Sequence, residues 1–281
     1  MPFTAIKGTF HIVGYSPDGD SIRFKAFDPA NWSALDGKKV ALNAKGHAQL
    51  RIEAIDTLET HYKNQHQPLP WADAAALRLF GLLGIKNVVW NAAHSKVTSA
   101  EDGVEGFIVT RTTEENGRPV SYVFPASAGL QDGQVMFLEK PLVRKSVNFR
   151  LLREGLAYPT FYDGLFYDLR ELFAAETKKV RARKVGVWSG DMSHTFMRIS
   201  SLADITDRLV LLPKLFRRMV AYFSVNPVFD PIQFLQFVDA LNERVLILSK
   251  LHFTHLEDIL EINAQGEIRL VEEPEGLVFL A

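Results

Sequence analysis

The alternation of apolar and polar residues predicts short β-strands through much of the first 125 residues. Every second residue is apolar in residues 21–27 and again in residues 49–55, which is the two-residue period of a strand with one buried face. The Asp-Gly pair at residues 18–19 and the Asn-Gly pair at residues 116–117 favour hairpin turns. Further strands are predicted over residues 9–15, 88–90, 106–113 and 119–124.

Longer periodic segments predict helices. Residues 70–80 begin with a proline, which is well tolerated in the first helical turn, and residues 146–156 and 168–184 are also predicted to be helical. Beyond residue 190 the chain contains long apolar stretches. They predict helices over residues 202–223, with a break at Pro213, and over residues 231–250.

Length and composition limit the protein class. A chain of 281 residues is long enough for two domains, and a hydrophobic share of 47% is typical of a globular protein with a core. The absence of cysteine excludes disulfide scaffolds and thiolate metal sites or nucleophiles. The chain shows neither a signal-peptide pattern nor an apolar run of the roughly 20 residues that span a membrane. We therefore expect a soluble protein that makes no membrane contact and is cytoplasmic by default.

Charge divides the chain unevenly, although its formal net charge is only −1. Residues 191–281 contain 8 Lys and Arg against 13 Asp and Glu, a net of −5, so residues 1–190 carry +4. Long apolar stretches also begin beyond residue 190, and this change in character predicts one domain over residues 1–190 and a second, mostly helical domain over residues 191–281. A mildly basic first domain is compatible with a polyanionic partner. For the second domain, a homodimer interface and a protein-binding surface both stay open.

Three short stretches contain polar residues that a barrel core does not need. They are residues 18–21 (Asp-Gly-Asp-Ser), residues 50–60, and residues 115–118 (Glu-Asn-Gly-Arg). Hydrolysis of a phosphodiester needs an activated water and cationic groups on the extra negative charge of the transition state, and it benefits from a hard cation. Carboxylates, a carbonyl and two arginines are the groups that suit this chemistry.

In their order along the chain, these stretches resemble the signature of staphylococcal nuclease-like domains. Asp-Gly-Asp-Ser is followed by Leu-Arg-Ile-x-x-Ile-Asp-Thr-x-Glu and then by Asn-Gly-Arg. The similarity continues through residues 147–157 into a basic helix followed by Trp188-Ser189, and it covers about residues 8–190. The resemblance implies an α+β fold, with a five-stranded β-barrel of the OB type and helices packed on its side.

The resemblance also implies a calcium site. Asp20 and Asp56 would bind the ion through their carboxylates, and Thr57 would contribute its backbone carbonyl. Calcium suits a site made only of oxygen ligands and leaves room for water and a phosphate oxygen.

For the reaction, the resemblance implies that Glu59 acts as the general base toward the attacking water. Arg51 and Arg118 would bind the phosphate and stabilise the pentacoordinate transition state, with Arg118 on the leaving-oxygen side. The substrates would be DNA and RNA, and the products would carry 3′-phosphates. We therefore expect a calcium-dependent nuclease.

The sequence departs from the family pattern without losing a catalytic residue type. Asp20 and Arg51 are 31 residues apart, which predicts an added loop near residues 28–47. Leu58 replaces the usual proline, and the Glu-Asn pair before Gly-Arg replaces residues of other types.

Alternatives stay open for individual residues and for the whole chain. Phe161 and Tyr162 are candidates for stacking on a nucleobase, and simple packing explains them equally well. His252 and His255 have the spacing of a metal pair, although a surface or core position is the commoner explanation. Two other functions remain: a catalytically inactive nucleic-acid-binding module of the same fold, and a protein-interaction scaffold that acts through residues 191–281.

Overall fold

The computed structural model describes residues 2–280, which pack as two compact units. The first unit comprises the chain up to Glu53 together with Ala74–Leu151. The second comprises Ala54–Asp73 together with the chain from Leu152 onward. The domain boundary predicted at residue 190 rests on composition and stays a prediction.

Most of the strands occur in runs that are separated by helices. The strands are β1 Phe3–His11, β2 Arg23–Ala26, β3 Ala48–Gln49, β4 Arg51–Ile52, β5 Ile55–Asp56, β6 Val89–Trp90, β7 Val97–Ser99, β8 Val104–Thr113, β9 Pro119–Pro125, β10 Val135–Met136, β11 Tyr158–Pro159, β12 Phe161–Tyr162, β13 Arg244–Ile247, β14 His252–His255, β15 Leu260–Ile262, β16 Ile268–Leu270 and β17 Leu277–Phe279. The α-helices are α1 Leu69–Leu83, α2 Lys140–Val143, α3 Val147–Arg153, α4 Tyr167–Ala182, α5 Pro213–Phe223 and α6 Pro231–Asp239.

A nearly closed, barrel-like sheet forms the core of the first unit. Six strands follow one another in the order β3-β2-β1-β8-β9-β4, and β10 pairs with β1. Neighbouring strands are antiparallel except for β4, which runs parallel to β9. The prediction of a mixed α and β fold with a barrel is confirmed at this level, with six strands in the barrel path where five were expected.

The alternation predicted in residues 21–27 has its expected structural consequence. Phe24 and Ala26 are buried, whereas Arg23 is half-buried and Lys25 is exposed. Because side chains on a strand point alternately to its two faces, β2 presents an apolar face to the core and a basic face outward.

The second unit contains more β structure than its sequence predicted. Strands pair in the order β12-β17-β13-β14, β5 pairs with β11, and β15 pairs with β16. The prediction that residues 191–281 are mostly helical is not confirmed, because strands β13 to β17 lie there as well as helices α5 and α6. Residues 244–247 form a strand, although they were predicted to be the end of the helix over residues 231–250. A short apolar run is compatible with a helix or a strand, and only its tertiary contacts determine which one forms. The helix expected from residue 202 begins at Pro213, after a π-helical turn at Asp204–Arg208.

None of the helices within residues 2–280 combines the length and the apolar character needed to cross a membrane.

Candidate functional site

The first unit brings three of the predicted site residues onto neighbouring segments. The backbone N–H of Ile52 donates to the carbonyl of Asp20 at 3.0 Å, which fixes the Asp-Gly-Asp segment beside β4. Arg51, in β4, is in register with Val120 of β9. Arg118 lies two residues before Val120. The side chains of Asp20, Arg51 and Arg118 are all half-buried.

Arg118 is positioned by a carboxylate that the sequence analysis did not single out. Glu114 accepts hydrogen bonds from the Arg118 side chain at 3.1 Å, from the Arg118 N–H at 3.2 Å and from Asn116. Gly117 completes the predicted turn with φ +72°, and a Cβ there would lie 2.7 Å from the carbonyl oxygen of Lys39. Glycine is therefore required for both conformation and space.

Electrostatics couples Glu114 tightly to Arg118. Burial alone would raise the pKa of Glu114, but the hydrogen bond and positive charge of Arg118, helped by Asn116, lower the pKa to about 2. Glu114 is therefore ionised at neutral pH. The pair leaves the Nε of Arg118 buried and without a hydrogen-bond partner among the described residues.

We expect Glu114→Gln to lower the free energy of unfolding by about 1 kcal/mol at neutral pH, because it removes a charge-assisted hydrogen bond. A lowered pKa stabilises the folded state above the unfolded-state value near 4.5, and that stabilisation disappears as the pH falls towards about 2. Urea unfolding of both proteins at several pH values measures this. The control is Glu105→Gln, which breaks an exposed pair with Lys7 and should change stability little. If the difference in the free energy of unfolding between the Glu114 variant and the wild type did not shrink at acid pH, the lowered pKa of Glu114 would be contradicted.

The second unit brings together the predicted calcium ligand and the predicted general base. Strand β5, which ends at Asp56, is held by antiparallel pairing of Asp56 with Tyr158 of β11. Glu59 follows three residues later, and its own backbone carbonyl accepts a hydrogen bond from the N–H of Gln67 at 2.8 Å. Asp56 is only 4% exposed. Thr57, at 2% exposed, lies between the two carboxylates in the chain.

Both carboxylates bind one arginine from the C-terminal region. Arg217 donates from Nη1 to Asp56 Oδ1 at 2.9 Å and from Nη2 to Asp56 Oδ2 at 2.6 Å, which is a bidentate pair. The same Nη1 donates to Glu59 Oε1 at 2.6 Å. Three charged groups, two of them acidic, therefore share one largely buried cluster.

Helix α5 determines where Arg217 lies. Pro213 occupies the first turn, and Leu215, Phe216, Met219 and Val220 are buried, which fixes the rotation of the helix about its axis. Burial alone would lower the pKa of Arg217, but the charges and hydrogen bonds of Asp56 and Glu59 raise it well above its ordinary value. Arg217 is therefore a permanent cation.

The two aromatic candidates lie in strand β12. Phe161 is completely buried and in register with Val278 of β17, so its ring packs in the core and has no exposed face for a nucleobase. Tyr162 is half-buried. Its proposed contact with a base stays a prediction.

A separate group of possible metal ligands lies on the second unit at His255, Glu257 and Asp258, whose ligand atoms lie within 4.8 Å of one another. An imidazole favours transition metals over calcium, and exposed groups of this kind commonly bind no ion. The group gives no support to the predicted calcium site.

Comparison with known proteins adds no assignment. No family model matches the chain, and no curated protein sequence matches it.

Proposed function

We propose that this chain is a calcium-dependent nuclease built on an OB-type barrel, which hydrolyses phosphodiester bonds of DNA, RNA or both. The observation that carries the proposal is the convergence of the Asp56 and Glu59 carboxylates on a single cationic group. These are two of the residues whose order along the chain resembles the nuclease signature. The order comes from sequence and the convergence from the fold, so the two lines of support are independent.

The carboxylate pair suits a hard divalent ion. The carboxylate oxygens of Asp56 and Glu59 already lie 2.6 to 2.9 Å from the guanidinium nitrogens of Arg217. Calcium prefers a site made only of oxygen ligands. Asp20 would supply a further carboxylate and Thr57 its carbonyl. When bound, calcium would neutralise phosphate oxygens and supply positive charge for the hydrolysis.

The protein groups would then divide the reaction among themselves. Glu59 accepts the proton of the attacking water. Arg51 and Arg118 donate to the phosphate oxygens and stabilise their developing charge. Glu114 holds the guanidinium of Arg118 in a fixed orientation, which reduces the conformational freedom that phosphate binding would otherwise remove.

Arg217 blocks the proposed calcium ligands. Its guanidinium occupies the position on Asp56 and Glu59 that an ion would take, so calcium binding and the Arg217 contact exclude each other. The proposed enzyme is therefore active only in molecules in which Arg217 has left these two carboxylates.

The same contact favours a second candidate function, an inactive nucleic-acid-binding module or interaction scaffold. A permanent Arg217–Asp56 pair would replace the metal with a structural ion pair and would keep Glu59 from acting as a base. This alternative predicts that neither calcium nor removal of Arg217 produces cutting.

We expect Glu59→Gln to lower the rate of single-stranded DNA cleavage by about 10²–10⁴-fold, because general-base catalysis contributes roughly this much. The assay uses about 10 mM calcium, which exceeds the roughly 10⁻⁴–10⁻³ M dissociation constants of weak calcium sites. Glu261→Gln is the matched control, since it removes a glutamate that pairs with Arg269 at 2.6 Å elsewhere in the second unit. Equal rates for the two variants would rule out the role assigned to Glu59.

A further inference from the structure

The outer face of β1, β2 and β3 is basic. The strand register pairs His11 with Arg23 and Arg23 with Gln49, and it pairs Thr9 with Lys25. Residues paired in this way share one face of the sheet. The side chains of this face are half-buried or exposed except for that of His47, which is buried. His47 is the residue directly before β3.

Arg23 is the partly buried cation of this face, whereas Lys25 and Lys45 are exposed, and it has no carboxylate partner among residues 2–280. Arg118, Arg181, Arg217 and Arg218 each pair with an acid within 3.1 Å. The Nε of Arg23 is buried and has no hydrogen-bond partner in the described part of the chain, and burial lowers the pKa of Arg23. A partly desolvated cation without a counter-charge is unfavourable, and an anionic ligand would remove that penalty.

Tyr15 supports the guanidinium and a second cation. The Arg23 guanidinium lies over the Tyr15 ring at 5.1 Å, and the Nζ of Lys45 lies over it at 5.8 Å. The Tyr15 hydroxyl accepts from the Asn43 side chain at 2.8 Å and lies 3.1 Å from Nδ1 of His47, so the ring cannot turn freely. Both cations therefore lie against the same ring.

The local field is positive. Burial, followed by the nearby His11, Lys25 and Lys45, lowers the pKa of His47 to about 4, against a smaller opposing effect of Asp102. The acids that face this surface are already engaged. Asp102 lies 3.1 Å from His11 and accepts from the N–H of Ile12, and Glu105 pairs with Lys7.

We propose that this face, centred on Arg23, Tyr15 and Lys45, binds the phosphates of a single-stranded nucleic acid. Arg23 and Lys25 on β2 and Lys45 in the turn before β3 form a row of separate cations, which suits an extended polyanion, whereas a free phosphate would need donors that converge on one point. The choice of nucleic acid as the polyanion rests on the proposed nuclease function.

The test is fluorescence anisotropy with a labelled single-stranded oligonucleotide in chelator, so that no cleavage occurs. We expect Arg23→Gln to weaken binding about tenfold and to reduce the slope of log Kd against log salt concentration by about 0.7, the value for one phosphate contact on a single strand. The control is Arg244→Gln, because Arg244 is also stacked on an aromatic ring, Phe253, at 5.6 Å but lies in the second unit.

A double variant of exposed residues, Lys25→Gln with Lys45→Gln, keeps the test decisive if Arg23→Gln lowers stability in thermal unfolding. It should weaken binding at least as much as Arg23→Gln. Wild-type affinity in both proteins, or an equal loss in the Arg244 variant, would overturn the proposal. The proposal would also be overturned if the oligonucleotide did not bind while inorganic phosphate or phosphatidylserine vesicles bound in a manner that depends on Arg23.

Cleavage and binding are read separately. Arg23-dependent binding without calcium-dependent cutting would leave this inference standing while the nuclease proposal fails. If the protein cuts nucleic acid but Arg23→Gln leaves oligonucleotide binding unchanged, this inference is overturned and the nuclease proposal is supported.

Discussion

Replacement of Arg217 by methionine is expected to destabilise the calcium-free protein by about 3 kcal/mol and to tighten its calcium binding by at least tenfold. Methionine fills a similar length of the buried stem but leaves Asp56 and Glu59 without their counter-charge. Loss of one partner from a buried ion pair typically destabilises by roughly 3–5 kcal/mol. Calcium no longer has to displace the guanidinium, so it should recover much of the lost stability by binding only the folded state.

Arg218→Met is the matched control for this experiment. Arg218 is the next residue on α5 and pairs with Glu243 through Nε at 2.6 Å, so its loss also breaks an ion pair but does not touch Asp56 or Glu59. Calorimetry and thermal unfolding in calcium and in chelator measure both effects. Calcium affinity that rises equally in the two variants, or in neither, would contradict competition at the carboxylates.

Arg51→Ala is expected to lower the cleavage rate by about 10²–10³-fold at saturating calcium. Preorganised donors to developing negative charge contribute roughly this much each, and Arg51 is fixed by its position in β4 beside Val120 of β9. Because the side chain is half-buried, the variant must first be shown to unfold in a cooperative transition like that of the wild type. Single-turnover kinetics then separates the chemical step from product release.

Two further variants make the result specific to Arg51. Arg51→Lys keeps the charge but loses the planar, bidentate donors, so it should recover only a small part of the rate. Arg144→Ala removes an exposed arginine that is stacked on Phe149 and should cut like the wild type. Full activity of Arg51→Lys would show that charge alone is sufficient and would remove the argument for bidentate phosphate binding.

Local patterns predicted the elements whose partners are near in sequence. The Asn-Gly turn between two predicted strands correctly indicated the hairpin of β8 and β9, and the proline at residue 70 lies in the first turn of α1. Residues 244–247 were assigned wrongly as helix because their strand partner on one side, β17, comes about 30 residues later. No local pattern contains that pairing.

The candidate site shows the same limit. The polar stretches indicated the candidate residues, and the fold brings two of them, Asp56 and Glu59, onto one arginine. The pairing of Glu114 with Arg118 could have been predicted from the sequence, since Glu114 lies four residues before Arg118 across an Asn-Gly turn. Arg217 had none, because it is 161 residues from Asp56 and belongs to an amphipathic helix whose sequence pattern indicates only core packing.

The most direct test of the nuclease proposal is degradation of single-stranded DNA, duplex DNA and RNA by the wild-type chain, with calcium or with chelator. The Arg217→Met variant is assayed in parallel. We expect calcium-dependent cutting that leaves 3′-phosphates, with Arg217→Met reaching its full rate at lower calcium than the wild type. No cutting of any substrate by either folded protein at millimolar calcium would contradict the proposal and would favour the inactive module or scaffold.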